Sequence, residues 1–269
     1  MSMQDELKFK IPVFGWPANA GDYHNVPFDA ADPRGAEPLV KLADHGIAGE
    51  NYYARTDGQN WPYNQVIEGS LPDIWARRSI AEKLVSVNRI LQPYGVELFV
   101  FDAYRPVECQ KGLWKFFWAE AARLKPNADE AELRDYVLNY VSDPSLFDAA
   151  NARTWPVHAC GGAVDLTLRK IGSGDVLDMG ARFDEMDPVV YSDALERKLV
   201  AHTIAADDPR LWNRRLLHWA MTQEGFINYP FEFWHFNFGD QMYALHARLL
   251  GRADAPEAAW YGYIPPPEG

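Results

Sequence analysis

The sequence predicts a single α+β domain with a central antiparallel sheet and flanking helices. Helical and strand patterns alternate irregularly along the 269 residues, so the strands need not be joined by crossover helices. No internal repeat or low-complexity linker divides the chain, and a hydrophobic content of 48% is enough to bury a core. We expect one domain over residues 1–269, with its core at about 50–250, an N-terminal arm and a proline-rich C-terminal tail.

The first half of the chain has the clearest local patterns. From Leu71, apolar residues recur every three or four positions as far as Pro93-Tyr94-Gly95, which predicts a helix. Val96 to Phe101 is rich in β-branched and aromatic residues and predicts a strand. Tyr104-Arg105-Pro106 then predicts a loop, and Val107 to Leu124 predicts a second helix.

The second half predicts shorter elements. Residues 128–141 have helical spacing, and Ala163 to Leu168 alternates as a strand does. Asp208-Pro209 is typical of a helix N-terminus, and we expect that helix to run to Glu224. Tyr229 to Phe238 predicts strand and turn.

Composition excludes some partners. A formal net charge of -12 argues against nucleic acid and against an anionic membrane surface, because both attract basic proteins. The two cysteines, Cys109 and Cys160, cannot form a disulfide framework for a chain of this size. Without an apolar signal-peptide core or membrane span, we predict a cytoplasmic protein. The sequence does not indicate the oligomeric state.

Four residues suggest a metal site. His158, Asp165 and His235 offer two imidazoles and a carboxylate, which is a three-ligand set with a coordination position left for water. Glu232 is then available as a base that is not needed as a ligand. The alternative for His158 and Asp165 is a loop histidine that is hydrogen-bonded to a strand aspartate. The alternative for Glu232 and His235 is an ion pair at the end of a strand.

The spacing of Glu232 and His235 raises a geometric question. On a strand, side chains three apart point to opposite faces, so both reach one metal only if the backbone bends between them. Alternatively, Glu232 approaches from the side through a turn. Pro230 makes a bent or edge position plausible.

A metal-dependent hydrolysis needs one more group. The intermediate carries a negative oxygen that requires a partner, and Arg105, between an apolar strand and Pro106, is the candidate. A surface salt bridge is the alternative for Arg105. A Cys–His nucleophile formed by Cys160 and His158 is a weaker alternative, because nearby loop positions rarely permit the required geometry.

The chain resembles the D-alanyl-D-alanine dipeptidases, zinc enzymes related to D-Ala-D-Ala carboxypeptidases and to the hedgehog signalling domain. The matching strings lie in the family's order over roughly residues 50–240. They are Phe101-Asp102-Ala103-Tyr104-Arg105-Pro106, His158 to Leu168 with Asp165 inside it, Met179 to Asp187, and Glu232-Phe233-Trp234-His235.

This resemblance implies a hedgehog- or D,D-peptidase-like fold, one zinc ion per chain and a small dipeptide substrate. His158, Asp165 and His235 match the zinc ligands. Glu232 matches the general base and acid, and Arg105 matches the group that stabilises the tetrahedral intermediate. At the substrate, Asp184 matches a carboxylate near the free amine, and Tyr53 a tyrosine that lines the cleft.

The chain also departs from the family pattern. Pro156 stands where relatives often have a substrate-holding serine, and the segment from Lys125 to Thr154 is long. These differences bear on the preferred dipeptide, and the sequence is compatible with a role in cell-wall turnover, nutrient recovery or antibiotic resistance. Two rival functions are a D,D-carboxypeptidase that acts on longer cell-wall peptides and a non-catalytic zinc-binding relative. Asp184 favours the dipeptidase over the carboxypeptidase, because it offers a partner for a free amine. Arg105 and Glu232 argue against the non-catalytic relative, because a binding protein needs neither.

Overall fold

A five-stranded sheet forms the centre of the structure, a computed structural model that describes residues 9–17 and 21–267. The strands in these ranges are β1 (Leu39–Lys41), β2 (Ala48–Gly49), β3 (Trp75–Arg77), β4 (Val96–Asp102), β5 (Ala163–Lys170), β6 (Ile227–Asn228) and β7 (His235–Asn237). The α-helices are α1 (Arg78–Leu91), α2 (Val107–Leu124), α3 (Glu130–Val137), α4 (Ala194–Val200), α5 (Pro209–Gln223) and α6 (Gln241–Leu249).

The strand order of this sheet is β2-β4-β5-β7-β6. All neighbouring pairs are antiparallel except β2 and β4, which pair in parallel at one edge. Strands β1 and β3 form a separate two-stranded antiparallel sheet. The α+β prediction is confirmed, and the expected antiparallel sheet differs only in its short parallel edge strand.

Most predicted elements occur where the sequence places them. Helix α2 has the predicted bounds, and α5 begins at Pro209 with the Asp208 side chain accepting a hydrogen bond from Arg210 N at 2.9 Å. The predicted start of α1 at Leu71 is wrong, because Trp75–Arg77 pairs with β1 and delays the helix to Arg78. Local periodicity cannot reveal a pairing with a strand more than thirty residues away.

The two faces of the sheet are covered differently. Helix α1 buries Ile80, Leu84 and Val87 at helical spacing, and it contacts β4 and α5. On the other face, Phe101 stacks on Phe183 of the 171–192 loop at a centroid distance of 4.7 Å. None of the helices within the described ranges is long and apolar enough to cross a membrane.

A short 3-10 turn, Val157–Cys160, leads directly into β5. Gly161 ends the turn with a φ of 76°, which favours glycine. At Gly162, a Cβ atom would lie 2.4 Å from Phe238 O, so a larger residue would displace the backbone. The predicted tight loop between His158 and the strand of Asp165 is therefore confirmed.

The buried Arg77 side chain joins this turn to the segment before β1 and to the C-terminal tail. Its guanidinium donates to four carbonyl oxygens, those of Gly35, Glu37, Cys160 and Gly262, at 2.6–3.0 Å. The C-terminal tail has no regular secondary structure at Gly262 and lies against the turn, where Ile264 N donates to Ala159 O. Arg77 thus holds the N-terminal and C-terminal segments onto the loop that carries His158.

We expect Arg77→Leu to lower the free energy of unfolding by about 3 kcal/mol or more, because several buried carbonyl groups lose their donor. Urea unfolding monitored by tryptophan fluorescence measures the change. Arg78→Leu is the matched control, since Arg78 is the exposed neighbour and should change stability little. Equal stability losses in the two variants would contradict the anchoring role.

Candidate metal centre

Three acidic or imidazole side chains lie opposite one another on adjacent strands. Asp102 of β4 pairs with Asp165 of β5, and Asp165 pairs with His235 of β7. Directly opposed residues in an antiparallel pair have side chains on the same face and about 5 Å apart. The strand register therefore collects these groups at one end of the sheet.

A β-bulge in β4 produces this alignment. Val100 pairs with Leu166, whereas the next pair joins Asp102 to Asp165, so Phe101 is the extra residue. With regular pairing, Phe101 would stand opposite Asp165. The bulge therefore places the Asp102 carboxylate, and not the Phe101 ring, opposite Asp165. Bulges near functional sites often re-aim a side chain in this way.

His158, Asp165 and His235 form a cluster with the geometry of a metal site. One ligand atom from each residue lies within 4.8 Å of the others, and all three residues are buried. His235 Nδ1 is 2.9 Å from Asp165 Oδ1, and His158 Nε2 is 3.4 Å from Asp165 Oδ2. The sequence-predicted ligands are thus brought together around one point.

The outer nitrogen of each imidazole has a fixed hydrogen-bond acceptor. His158 Nδ1 donates to Ala103 O at 2.8 Å, and His235 Nε2 donates to Asn237 Oδ1 at 3.2 Å. In the neutral form of each ring, these bonds leave the lone pair on His158 Nε2 and on His235 Nδ1, the two atoms nearest Asp165. Such outer partners commonly set the tautomer of metal-binding histidines, so the residues present fit a zinc ion.

Electrostatics differ between the two imidazoles. Burial, reinforced by Arg105, lowers the pKa of His158 to about 3, so this ring is neutral, as a metal ligand must be. Burial also acts to lower the pKa of His235, but the adjacent Asp165 carboxylate outweighs it and raises that pKa to about 9. A metal ion would therefore compete with a proton for His235 Nδ1.

Glu232 reaches the same point from a turn. It lies between β6 and β7, outside both strands, and His235 N donates to Glu232 O at 3.3 Å. The backbone therefore bends between Glu232 and His235. Glu232 approaches from the side through a turn, which is one of the two arrangements considered from the sequence. Glu232 Oε2 is 3.7 Å from His235 Nδ1.

The carboxyl group of Glu232 is partly enclosed by the cleft, with 37% of its side chain exposed. Its withdrawal from bulk solvent and the Asp165 and Asp184 carboxylates raise its pKa to about 7, although His235 opposes the shift. A carboxyl group with this pKa can both accept and return a proton near neutral pH.

Asn228 holds the turn in place. Its side-chain amide donates to Glu232 O at 3.0 Å and to His235 O at 2.9 Å. The Asn228 Oδ1 atom accepts a hydrogen bond from Ser192 Oγ, which also lies 3.0 Å from Tyr229 O. One buried side chain thus fixes the backbone of both Glu232 and His235.

Arg105 points into the centre and is not a surface residue. Its side chain is 13% exposed, and Nε donates to Asp102 Oδ2 at 2.7 Å. Nη2 lies 3.1 Å from Tyr53 OH and 3.5 Å from Asp165 Oδ2. Nη1 makes only a long 3.4 Å contact with Gln110, so it retains donor capacity toward a substrate.

Asp184 and Tyr53 meet at one end of the cluster. The hydroxyl groups of Tyr53 and Tyr63 both donate to Asp184 Oδ2 at 3.0 Å. Burial, with a contribution from Asp165, raises the pKa of Asp184 to about 7 against the effect of Arg105. Among the described residues, neither tyrosine bonds to the second oxygen of Asp184, which could face a cation, and Tyr53 connects Asp184 to Arg105.

The cluster of His158, Asp165 and His235 lines a single cleft of about 650 Å³, together with Glu232, Arg105, Asp184, Tyr53 and Tyr63. Pro156 also lines it, so the position that lacks the family's serine does face the substrate space. Cys160 is buried outside the lining, where its thiol donates to Pro156 O, and burial raises its pKa. A protonated, buried thiol does not support the Cys–His alternative.

Sequence reasoning missed four residues of this site: Asp102, Tyr63, Asn228 and Asn237. Asn237 could have been found, because it lies two positions after His235 and so shares its face of the strand. Asp102 lies inside the family motif that runs from Phe101 to Pro106. Nothing local marks Tyr63 or Asn228, whose partners are brought near only by folding.

Two solved structures resemble the fold weakly. One is a vancomycin-resistance D,D-pentapeptidase in complex with Zn(II), with a TM-score of 0.38 and 17% identity over 66% of this chain and 80% of that one. The other is VanYB in complex with D-alanine-D-alanine, with a TM-score of 0.40 and 16% identity over 72% of this chain and 92% of that one.

Curated relatives are more similar in sequence. The D-alanyl-D-alanine dipeptidase of Enterococcus faecium is 27% identical over 204 residues, which are 74% of this chain and 89% of the relative. The Synechocystis dipeptidase is 30% identical over 62% of this chain and 69% of its own length. The Escherichia coli dipeptidase is 35% identical over 55% of this chain and 58% of its own length.

The sequence model of one peptidase family, described as D-ala-D-ala dipeptidase, matches residues 44–249. This match covers well over half of the chain and includes every residue of the cluster. The resemblance seen in the sequence motifs is therefore confirmed, and the chain belongs to the D-Ala-D-Ala dipeptidase family.

Proposed function

We propose that this protein hydrolyses D-alanyl-D-alanine or a related D,D-dipeptide, with one zinc ion held by His158, Asp165 and His235. The observation that carries the proposal is the shared cleft of the ligand cluster and Asp184. The cluster can bind a hydrolytic metal, and Asp184 can accept the free amine of a short peptide.

The residues divide the reaction between them. Zinc, when bound, supplies a Lewis acid and lowers the pKa of water. Glu232 takes the proton from the attacking water and passes it to the leaving amine as the peptide C–N bond breaks. Arg105 donates to the carbonyl oxygen as its negative charge develops. Asp184 and the two tyrosines hold the ammonium group.

Zinc removal should abolish activity. We expect dialysis against a strong chelator to stop hydrolysis of D-Ala-D-Ala, and one equivalent of zinc per chain to restore it. Metal analysis on the same samples gives the stoichiometry, and His158→Ala should reduce bound zinc because a ligand is lost. Hydrolysis by protein without any metal would rule out this mechanism.

Glu232→Gln should retain zinc and lose turnover. We expect kcat to fall by roughly 10²–10⁴-fold, the usual contribution of a positioned base, with bound zinc unchanged. Steady-state kinetics and metal analysis test this expectation. A variant that hydrolyses the dipeptide at a comparable rate would show that another group moves the proton.

Asp184→Asn should weaken binding of substrates with a free amine. We expect KM for D-Ala-D-Ala to rise about tenfold or more, because a charge-assisted hydrogen bond is lost. Asp175→Asn, in an exposed turn outside the cleft, is the control. If the wild type prefers N-acylated peptides and Asp184→Asn has no effect, the D,D-carboxypeptidase function is favoured instead.

Asn228→Ala should lower kcat while leaving KM nearly unchanged. A looser turn misplaces Glu232, and small displacements of a catalytic group can cost up to about 10²-fold in rate, so we expect a tenfold loss or more. The control is Asn88→Ala, which removes a comparable side-chain bond to Leu98 N far from the turn. Equal losses of kcat in both variants would indicate a general effect on stability.

A further inference from the structure

The cleft continues beyond its polar groups to an apolar wall. Phe117 of α2 and Tyr140, which follows α3, stack with centroids 5.1 Å apart and rings inclined by 9°. Leu138 also lines the cleft and is 46% exposed, although it is a large apolar side chain. Two of these three residues belong to the long segment from Lys125 to Thr154.

This wall begins beside the amine-binding end of the cleft. Tyr63, whose hydroxyl group donates to Asp184, packs its ring against Phe117 at a centroid distance of 5.9 Å. Phe117 in turn contacts Tyr140. A substrate with its ammonium group on Asp184 therefore has its first side chain next to this wall.

Gln110 connects the wall to the centre. Its Oε1 atom accepts from Arg105 Nη1 at 3.4 Å, and its Nε2 atom donates to Ser142 O at 3.1 Å. The backbone that carries Tyr140 is thus linked to the arginine of the site. The wall has a defined position relative to the scissile bond.

We propose that Leu138, Tyr140 and Phe117 form a subsite for a large aliphatic or aromatic side chain on the amino-terminal residue of a D,D-dipeptide. The inference rests on the proposed function and specifies its substrate class. An alanine methyl group covers little of the wall, whereas a leucine side chain removes Leu138 from water. Each added methylene in such a pocket gives about tenfold or more in discrimination.

Binding can be measured without turnover in the zinc-loaded Glu232→Gln variant. Calorimetric titration with D-Leu-D-Ala, D-Ala-D-Ala and D-Ala-D-Leu separates the two substrate positions. We expect D-Leu-D-Ala to bind at least about tenfold more tightly than either of the others. Equal affinities, no binding, or a preference for D-Ala-D-Leu would overturn the subsite.

Leu138→Asn in the same background tests the wall itself. We expect the advantage of D-Leu-D-Ala to fall about tenfold, with D-Ala-D-Ala binding within about twofold of its original value. The matched control is Leu146→Asn, because Leu146 lies in the same segment, is 61% exposed and does not line the cleft. An unchanged preference in Leu138→Asn would also overturn the subsite.

Wild-type kinetics distinguish this inference from the proposed function. If D-Ala-D-Ala is hydrolysed but D-Leu-D-Ala binds no better, the subsite is wrong and the dipeptidase function stands. If D-Leu-D-Ala binds selectively through Leu138 but no dipeptide is hydrolysed, the subsite stands and the proposed function is wrong.

Discussion

The buried carboxylate of Asp165 is the interaction on which the rest of the site depends. It lies 2.9 Å from His235 Nδ1, 3.4 Å from His158 Nε2 and 3.5 Å from Arg105 Nη2. A buried charge is stable only with partners of this kind, so the same contacts that stabilise Asp165 also orient the other groups. The strand register, the bulge in β4 and the glycine turn before β5 all serve to bring these partners within reach.

Charge explains why the site suits both a metal ion and an amine. Asp102, Asp165, Asp184 and Glu232 lie around Arg105, and the raised pKa values of Asp184 and Glu232 reflect the mutual repulsion as well as burial. A divalent cation offsets part of this repulsion and would favour the ionised carboxylates. Under the proposed function, a substrate ammonium group would do the same at Asp184.

The polar and apolar parts of the cleft lie on different elements of the fold. Asp165 and His235 lie on β5 and β7, whereas His158 and Glu232 lie in turns next to those strands, and Asn228 holds the turn of Glu232. The apolar wall lies instead on α2 and on the segment after α3, at the edge of the cleft. If the proposed subsite is correct, sequence change in that segment would alter the preferred substrate side chain without disturbing the strand register.

The sequence by itself determined the local elements and the chemistry of the site. Helix α2, strand β4 and the Asp208 cap follow from short-range spacing, and the His158, Asp165, Glu232 and His235 set is recognisable because few functions use those residue types together. The tertiary structure alone decided the bend at Glu232, the replacement of Phe101 by Asp102 opposite Asp165, and the late start of α1. The tertiary structure also brought Tyr63 to Asp184 and Asn228 to the turn of Glu232. These features depend on strand pairing and on contacts between distant segments, which no local pattern encodes.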